Sequence, residues 1–182
     1  MAPTGEAPLS GRRIPLLMIF SRRYARYGAA VMKASENYRT VIFRFGIVLG
    51  KDGGAYPQLV GPMKFGIMPI LGSGRQMVSW VHVDDVAGMI HAALEDESYR
   101  GVYNAVAPNP VMHRRLMNTI AQAKGGLKIP APVLPFVLRI IMGEASIEVL
   151  KSCTASSEKV QEAGYVFRYP EIDAAVEAIV SG

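Results

Sequence analysis

A single cysteine, Cys153, stands in 182 residues, so no intrachain disulfide can form and no cysteine cluster can hold a metal. With no ordinary secretion signal at its start, such a chain is expected in a reducing, cytoplasmic setting. Histidine is nearly as scarce. His82, His91 and His113 are spaced too widely for a metal site. Long apolar runs are missing too. Ile14–Phe20 and Val133–Met142 fall short of the ~20 residues a bilayer span requires, and Arg139 interrupts the second. No membrane partner is therefore expected. Two motifs are also absent: no Gly-x-Gly-x-x-Gly turn and no Tyr-x-x-x-Lys pair occurs anywhere in the chain.

Acid is scarce at one end only. Residues 1–33 hold six bases (Arg12, Arg13, Arg22, Arg23, Arg26, Lys33) against Glu6, which accounts for the whole net charge of +5. The remainder is neutral overall, with no basic stripe, so nucleic acid is not an expected partner.

What is present reads as alternating strands and helices. Thr40–Leu49 is a near-continuous apolar run, the pattern of a strand buried on both faces. Within it Arg44 is expected to be buried, and so to be paired or close to a ligand. Tyr56–Phe65 reads as a helix with Pro57 in its first turn, and Gln76–Val83 as the next strand. Asp84 is the expected cap of a helix over Asp85–Glu95 that buries Val86, Met89, Ile90, Ala93 and Leu94. Gly101–Val106 is a strand, and Met112–Ala123 a helix stopped by Gly125-Gly126. Ser21–Asn37 and Val133–Met142 also read as helices. Ser156 or Ser157 caps Glu158–Ala163, Gly164 ends it, and Tyr165–Tyr169 is a short strand. Pro170 opens a last helix facing inward through Ile172, Ala175, Val176 and Ile179. The order implies an α/β layered fold with parallel pairing. Three parts are expected: an atypical segment 1–28, an α/β part 29–107, and a small, mostly helical lobe 108–182.

Chemistry concentrates in two places. Gly72-Ser-Gly-Arg-Gln76 is either a glycine turn whose Arg75 grips an anionic group, or a tight turn with a solvated arginine. In Trp80-Val-His-Val-Asp-Asp85, period-two alternation puts Trp80, His82 and Asp84 on one face, at the strand end where α/β sheets bind ligands. His82 could serve a ligand or a core carbonyl. Asp84 and Asp85 read as cap and helix-dipole residues.

Four segments, Arg44-Phe-Gly-Ile-Val-Leu-Gly-Lys-Asp-Gly-Gly54, Gly72-Ser-Gly-Arg-Gln76, Ser79-Trp-Val-His-Val-Asp-Asp85 and Asn104-Ala-Val-Ala-Pro-Asn-Pro-Val111, resemble epimerase-like proteins of the extended short-chain dehydrogenase/reductase superfamily. Ile129-Pro-Ala-Pro132, Met142-Gly-Glu144 and Glu162-Ala-Gly-Tyr-Val-Phe-Arg-Tyr-Pro170 resemble the small domain of unknown function that ends those proteins. The resemblance runs from about Ala29 to Gly182. It implies the C-terminal part of an NAD(P)-binding, Rossmann-like fold. Arg44, Phe45, Gly46 and Ile47 would lie on the cofactor side, and Gly53, Gly54, Arg75, Gln76, Trp80 and His82 would line a substrate. The family's glycine turn, catalytic serine and active-site tyrosine have no counterpart, so no catalytic residue is assigned. Phe45, His113 and Arg115 depart from the residues usual at their positions.

The resemblance further implies a small-molecule substrate, nucleotide-sugar-like or carbonyl, and a homo-oligomer. NAD(P) would serve the complete family member, and none is expected on this chain alone. Met18-Ile-Phe-Ser-Arg-Arg-Tyr-Ala-Arg-Tyr27 stands where relatives carry a different helix. Residues 1 to about 28 are accordingly expected to derive from a shifted reading frame, a mitochondrial-type presequence being the alternative. The expected function is the substrate-side portion of an epimerase-like oxidoreductase, inactive alone. The alternative is a non-enzymatic interaction module of the same fold.

Overall fold

The computed structural model describes residues 39–133, 152 and 154–182. The expected helices at Ser21–Asn37 and beyond Val133 lie outside these residues, as do Cys153 and the segment 1–28.

The Thr40–Leu49 run is two strands, β1 (Val41–Phe45) and β2 (Ile47–Gly50), which change partner at Gly46. β1 pairs in parallel with β7 (Gly101–Ala105), whereas β2 pairs in parallel with β6 (Trp80–His82). The handover takes two consecutive N–H groups: Gly46 donates to the Ala105 carbonyl at 3.3 Å and Ile47 to the Ser79 carbonyl at 2.8 Å. Glycine is required there, because a Cβ would sit 2.5 Å from the Ser79 oxygen. Val41, Ile42 and Phe43 are only half-buried and Arg44 is exposed, which corrects the expectation of a strand covered on both faces. Among the described residues β1 has a single strand neighbour.

β3 (Gly53–Gly54) folds back antiparallel on β2. Tyr56–Phe65 divides into α1 (Tyr56–Val60) and a 3-10 turn over Pro62–Phe65, because Pro62 has no N–H with which to continue the helix. β4 (Ile67–Leu71) then pairs in parallel with β9 (Ile129–Val133). Neither strand was anticipated, since each contains proline. Parity explains how they pair. Ile129 N–H donates to Gly66 and Gly72 N–H to Val133. Pro69, Pro130 and Pro132 fall on the alternate positions, whose nitrogens face away from the partner.

Gln76–Val83 resolves into β5 (Met77–Val78) and β6, and β5 pairs antiparallel with β8 (Val111–Met112). α2 (Val83–Glu95) buries Met89 and Ala93 as expected, but leaves Ile90 and Leu94 exposed. α3 (His113–Lys124) ends at Gly125 with φ 64°, and α5 (Ile172–Ser181) buries all four residues of its expected face. α4 (Glu158–Glu162) lies between them. Tyr165–Tyr169 is not a strand, because the Tyr165 N–H turns back to the Val160 carbonyl and those of Arg168 and Tyr169 are taken by a side chain.

Period-two alternation gives the β2–β6 pair two cores. Leu49 and Trp80 face a cluster with Met63, Ile70, Leu116, Ile120 and Val176. Val81 faces another with Met89, Tyr99, Tyr103 and Val160, against which Val48 packs. The sheet is thus covered on both sides, as parallel pairing requires.

Candidate substrate site

β2 lies between β3 and β6, bringing the Gly53-Gly54 hairpin beside the strand that carries Trp80 and His82. Ile47 registers with Trp80, and Leu49 with His82. Gly54 has φ 70° and a Cβ there would strike the Val48 carbonyl at 2.3 Å, so the turn needs it. Gly53 is exposed with open space around it.

Trp80 is fully buried and its indole N–H donates to the Asn109 carbonyl at 2.9 Å. His82 is buried against the Tyr169 ring, centroids 4.1 Å apart. It, and not Asp84, caps α2: its Nδ1 accepts the Asp84 N–H at 3.1 Å. Accepting through Nδ1 places the proton of the neutral ring on Nε2. Burial lowers the His82 pKa, opposed by the nearby Asp84 and Asp85 carboxylates. The Asp84 carboxylate, 3.7 Å from Nδ1, therefore faces a neutral ring near pH 7.

Asp85 is the group that sequence reasoning undervalued. It is fully buried and accepts from the Tyr165 hydroxyl at 3.0 Å, the Arg168 N–H at 2.7 Å and the Tyr169 N–H at 3.1 Å. These bonds replace the strand expected over Tyr165–Tyr169 and pin that segment behind His82. Burial, then the hydrogen bond to Asp85, hold the Tyr165 phenol well above its ordinary pKa. Nothing local in the sequence marks the clamp, since its two sides are 80 or more residues apart.

The Gly72–Gln76 turn splits its two side chains. Gln76 is buried and donates to the Leu71 carbonyl at 3.0 Å, while Arg75 is exposed. The turn is fixed to α3, because His113 N–H donates to the Gln76 carbonyl and Arg114 N–H to Gly74. On the stretch expected to face a cofactor, Gly46 is buried, Phe45 and Ile47 are half-buried, and Phe45 packs near Phe43. Arg44 is exposed, a correction to its expected burial. Trp80 and His82 thus share a packed wall, whereas Arg75, Gly53 and Arg44 are on the surface. An open hollow of about 290 Å³ lies elsewhere, lined by Met68, Asn118, Gln122, Lys128 and Pro130 among others, and contains none of the expected ligand residues. Among the described residues no cluster could hold a metal, and no helix is long and apolar enough to cross a membrane.

Residues 20–105 match the NAD dependent epimerase/dehydratase family, and residues 135–179 match a domain of unknown function, DUF1731. The chain thus carries a match to part of this epimerase family. The chloroplastic epimerase family protein SDR39U1 homolog of Arabidopsis thaliana is 38% identical over 82% of the chain and 43% of its own length. The mouse epimerase family protein SDR39U1 is 35% identical over 89% of the chain and 55% of its own length. The chain spans about half the length of these curated relatives. The crystal structure of human SDR39U1 (isoform 2) with NADPH is 31% identical, with a TM-score of 0.75 over 79% of this chain and 49% of that one. UDP-glucose 4-epimerase of Thermus thermophilus, with NAD, shares the fold at a TM-score of 0.63, 18% identity, 87% of this chain and 50% of that one. The α/β, Rossmann-like assignment rests on both the matches and the parallel strands.

Proposed function

We propose that this chain is the substrate-side portion of an NAD(P)-dependent epimerase-like oxidoreductase, and that alone it neither holds a dinucleotide tightly nor turns over. One observation carries the reading: the chain holds no Gly-x-Gly-x-x-Gly turn to cradle a pyrophosphate, and the βα junction that ends the parallel strand β6 bears carboxylates. Asp84 and Asp85 fill the first turn of α2, and negative charge there opposes an anionic ligand. The residues at this junction therefore do not fit the phosphates of NAD(P), and no step is derived through it.

On the substrate side, Arg75 extends from a glycine turn as the group able to grip an anionic part of the substrate. Gly53 and Gly54 give the backbone close access. Gln76, Trp80 and His82, each buried and bonded to the backbone, form the wall that holds this surface in shape. Arg44 to Ile47 would face the cofactor. The relatives favour a carbonyl or nucleotide-sugar-like substrate: one solved neighbour is a UDP-N-acetylglucosamine 4-epimerase of Methanobrevibacter ruminantium in complex with UDP-N-acetylmuramic acid. The single cysteine favours a reducing compartment such as the cytoplasm.

Calorimetric titration of the purified 182-residue chain with NADPH tests the reading. No saturable heat is expected up to millimolar cofactor, and micromolar saturable binding would overturn it. The half-buried β1 strand favours a second reading, an interaction module that covers this strand with another chain. A monodisperse, cooperatively folding chain without cofactor affinity would support the module.

A further inference from the structure

A group of exposed large apolar side chains gathers at one end of the β4–β9 pair. Phe65 is 83% exposed, Leu127 84%, Ile129 62% and Ile67 43%. They are neighbours in space. Ile67 and Ile129 are register partners, and the Leu127 carbonyl lies 3.7 Å from where a Cβ on Gly66 would stand. Single exposed apolar residues are ordinary, but a contiguous group marks an interaction surface.

Along the two stretches that build it the charge has one sign. Lys64 precedes Phe65, Lys128 lies between Leu127 and Ile129, and Lys124 ends α3 one turn away. No Asp or Glu occurs from Gly53 to Val83 or from Ser98 to Gly143, and every element of this surface comes from those two stretches. Among the described residues none of the three lysines makes an ion pair.

We propose that this surface docks on an anionic lipid bilayer, with Phe65, Leu127 and Ile129 entering the headgroup region and the lysines meeting lipid phosphates. Charge selects the occupant, because a second copy would set lysines against lysines, whereas an anionic leaflet attracts them. Shape agrees. Side chains four-fifths exposed protrude, as anchors for a fluid interface do, and do not line a groove for a partner helix. Strand addition is blocked, since Pro130 and Pro132 turn nitrogens without hydrogens to the outer edge of β9. The lack of a spanning segment pointed away from membranes, but a peripheral contact needs none.

Flotation of the full chain tests this, using vesicles of phosphatidylcholine alone or with about a third phosphatidylserine. The chain should float with the anionic vesicles only, and added salt should weaken the association. Phe65→Ser and Leu127→Ser should each reduce it about tenfold. Both residues are exposed, so the variants should keep the far-UV spectrum of the parent. Three results would overturn the proposal: no flotation with anionic vesicles, equal flotation of parent and variants, or a concentration-dependent dimer that Phe65→Ser abolishes. The last would assign the surface to a second copy.

Discussion

Asp85 concentrates more consequence than any other described side chain. It is a fully buried carboxylate whose three donors come from Tyr165, Arg168 and Tyr169. Truncating it strands two backbone N–H groups and leaves the Tyr165 hydroxyl only the Asp85 backbone carbonyl, at 3.1 Å. Asp85→Ala should lower unfolding free energy by about 3 kcal/mol in urea titrations. Asp85→Asn should cost less, because the amide keeps an acceptor. His113 poses the converse case. Its ring is 2% exposed and neither nitrogen has a partner, and burial lowers its pKa to about 4. A folded-state pKa below the unfolded ~6.5 means stability is complete above pH 6.5 and declines as pH falls toward 4. The loss is on the order of 3 kcal/mol. His82, also lowered by burial, adds to the loss in the same direction. Denaturation midpoints measured from pH 7.5 to 4.5 should show this slope, and His113→Leu should flatten most of it.

Individual elements depend on local space as much as on pattern. Gly46 and Gly53 make the comparison, since both sit in the stretch that resembles the epimerase family. Gly46→Ala puts a methyl 2.5 Å from the Ser79 oxygen and should destabilise by about 3 kcal/mol. At Gly53 a Cβ meets nothing within 4 Å, and Gly53→Ala should shift the melting temperature little. Paired thermal melts of the two variants check both. The same residues show what pattern could reveal. Apolar period and glycine stops located α2, α3 and α5, including the buried face Ile172, Ala175, Val176 and Ile179. Pattern did not reveal the break at Gly46, which depends on which neighbour each successive N–H meets. Nor did it reveal β4 and β9, because proline argues against strands until the partner's side is known. The candidate site was legible only in part. Residue type picked out Trp80 and His82, but their bonds to Asn109 and Asp84, and the Asp85 clamp, arise from partners that sequence spacing does not encode.

In the whole molecule the two cores share β2 and β6, so neither should melt without the other. Trp80, the one tryptophan, is fully buried on one face and its neighbour Val81 on the other. Tryptophan emission and far-UV dichroism should therefore report a single coincident transition in urea. Separate midpoints would show that the faces unfold independently. The last thirty residues bind both sides together. Ala155 N–H donates to Ser79, Lys159 reaches the Val102 carbonyl, Asp173 accepts from Arg115 and Thr119, and Tyr165 to Tyr169 meet Asp85.

That lacing also fixes a chronology. Asp85 meets its donors across 80 to 84 residues of intervening chain, so closing the clamp carries a large loop-closure entropy and few local contacts help it. During synthesis the carboxylate is made long before its donors and stays in water until residues 165–169 have followed it. Its burial is a finishing step. The interior of this protein is sealed by residues 165–169, and whatever keeps that segment away leaves the Asp85 side chain without its donors where the core should be.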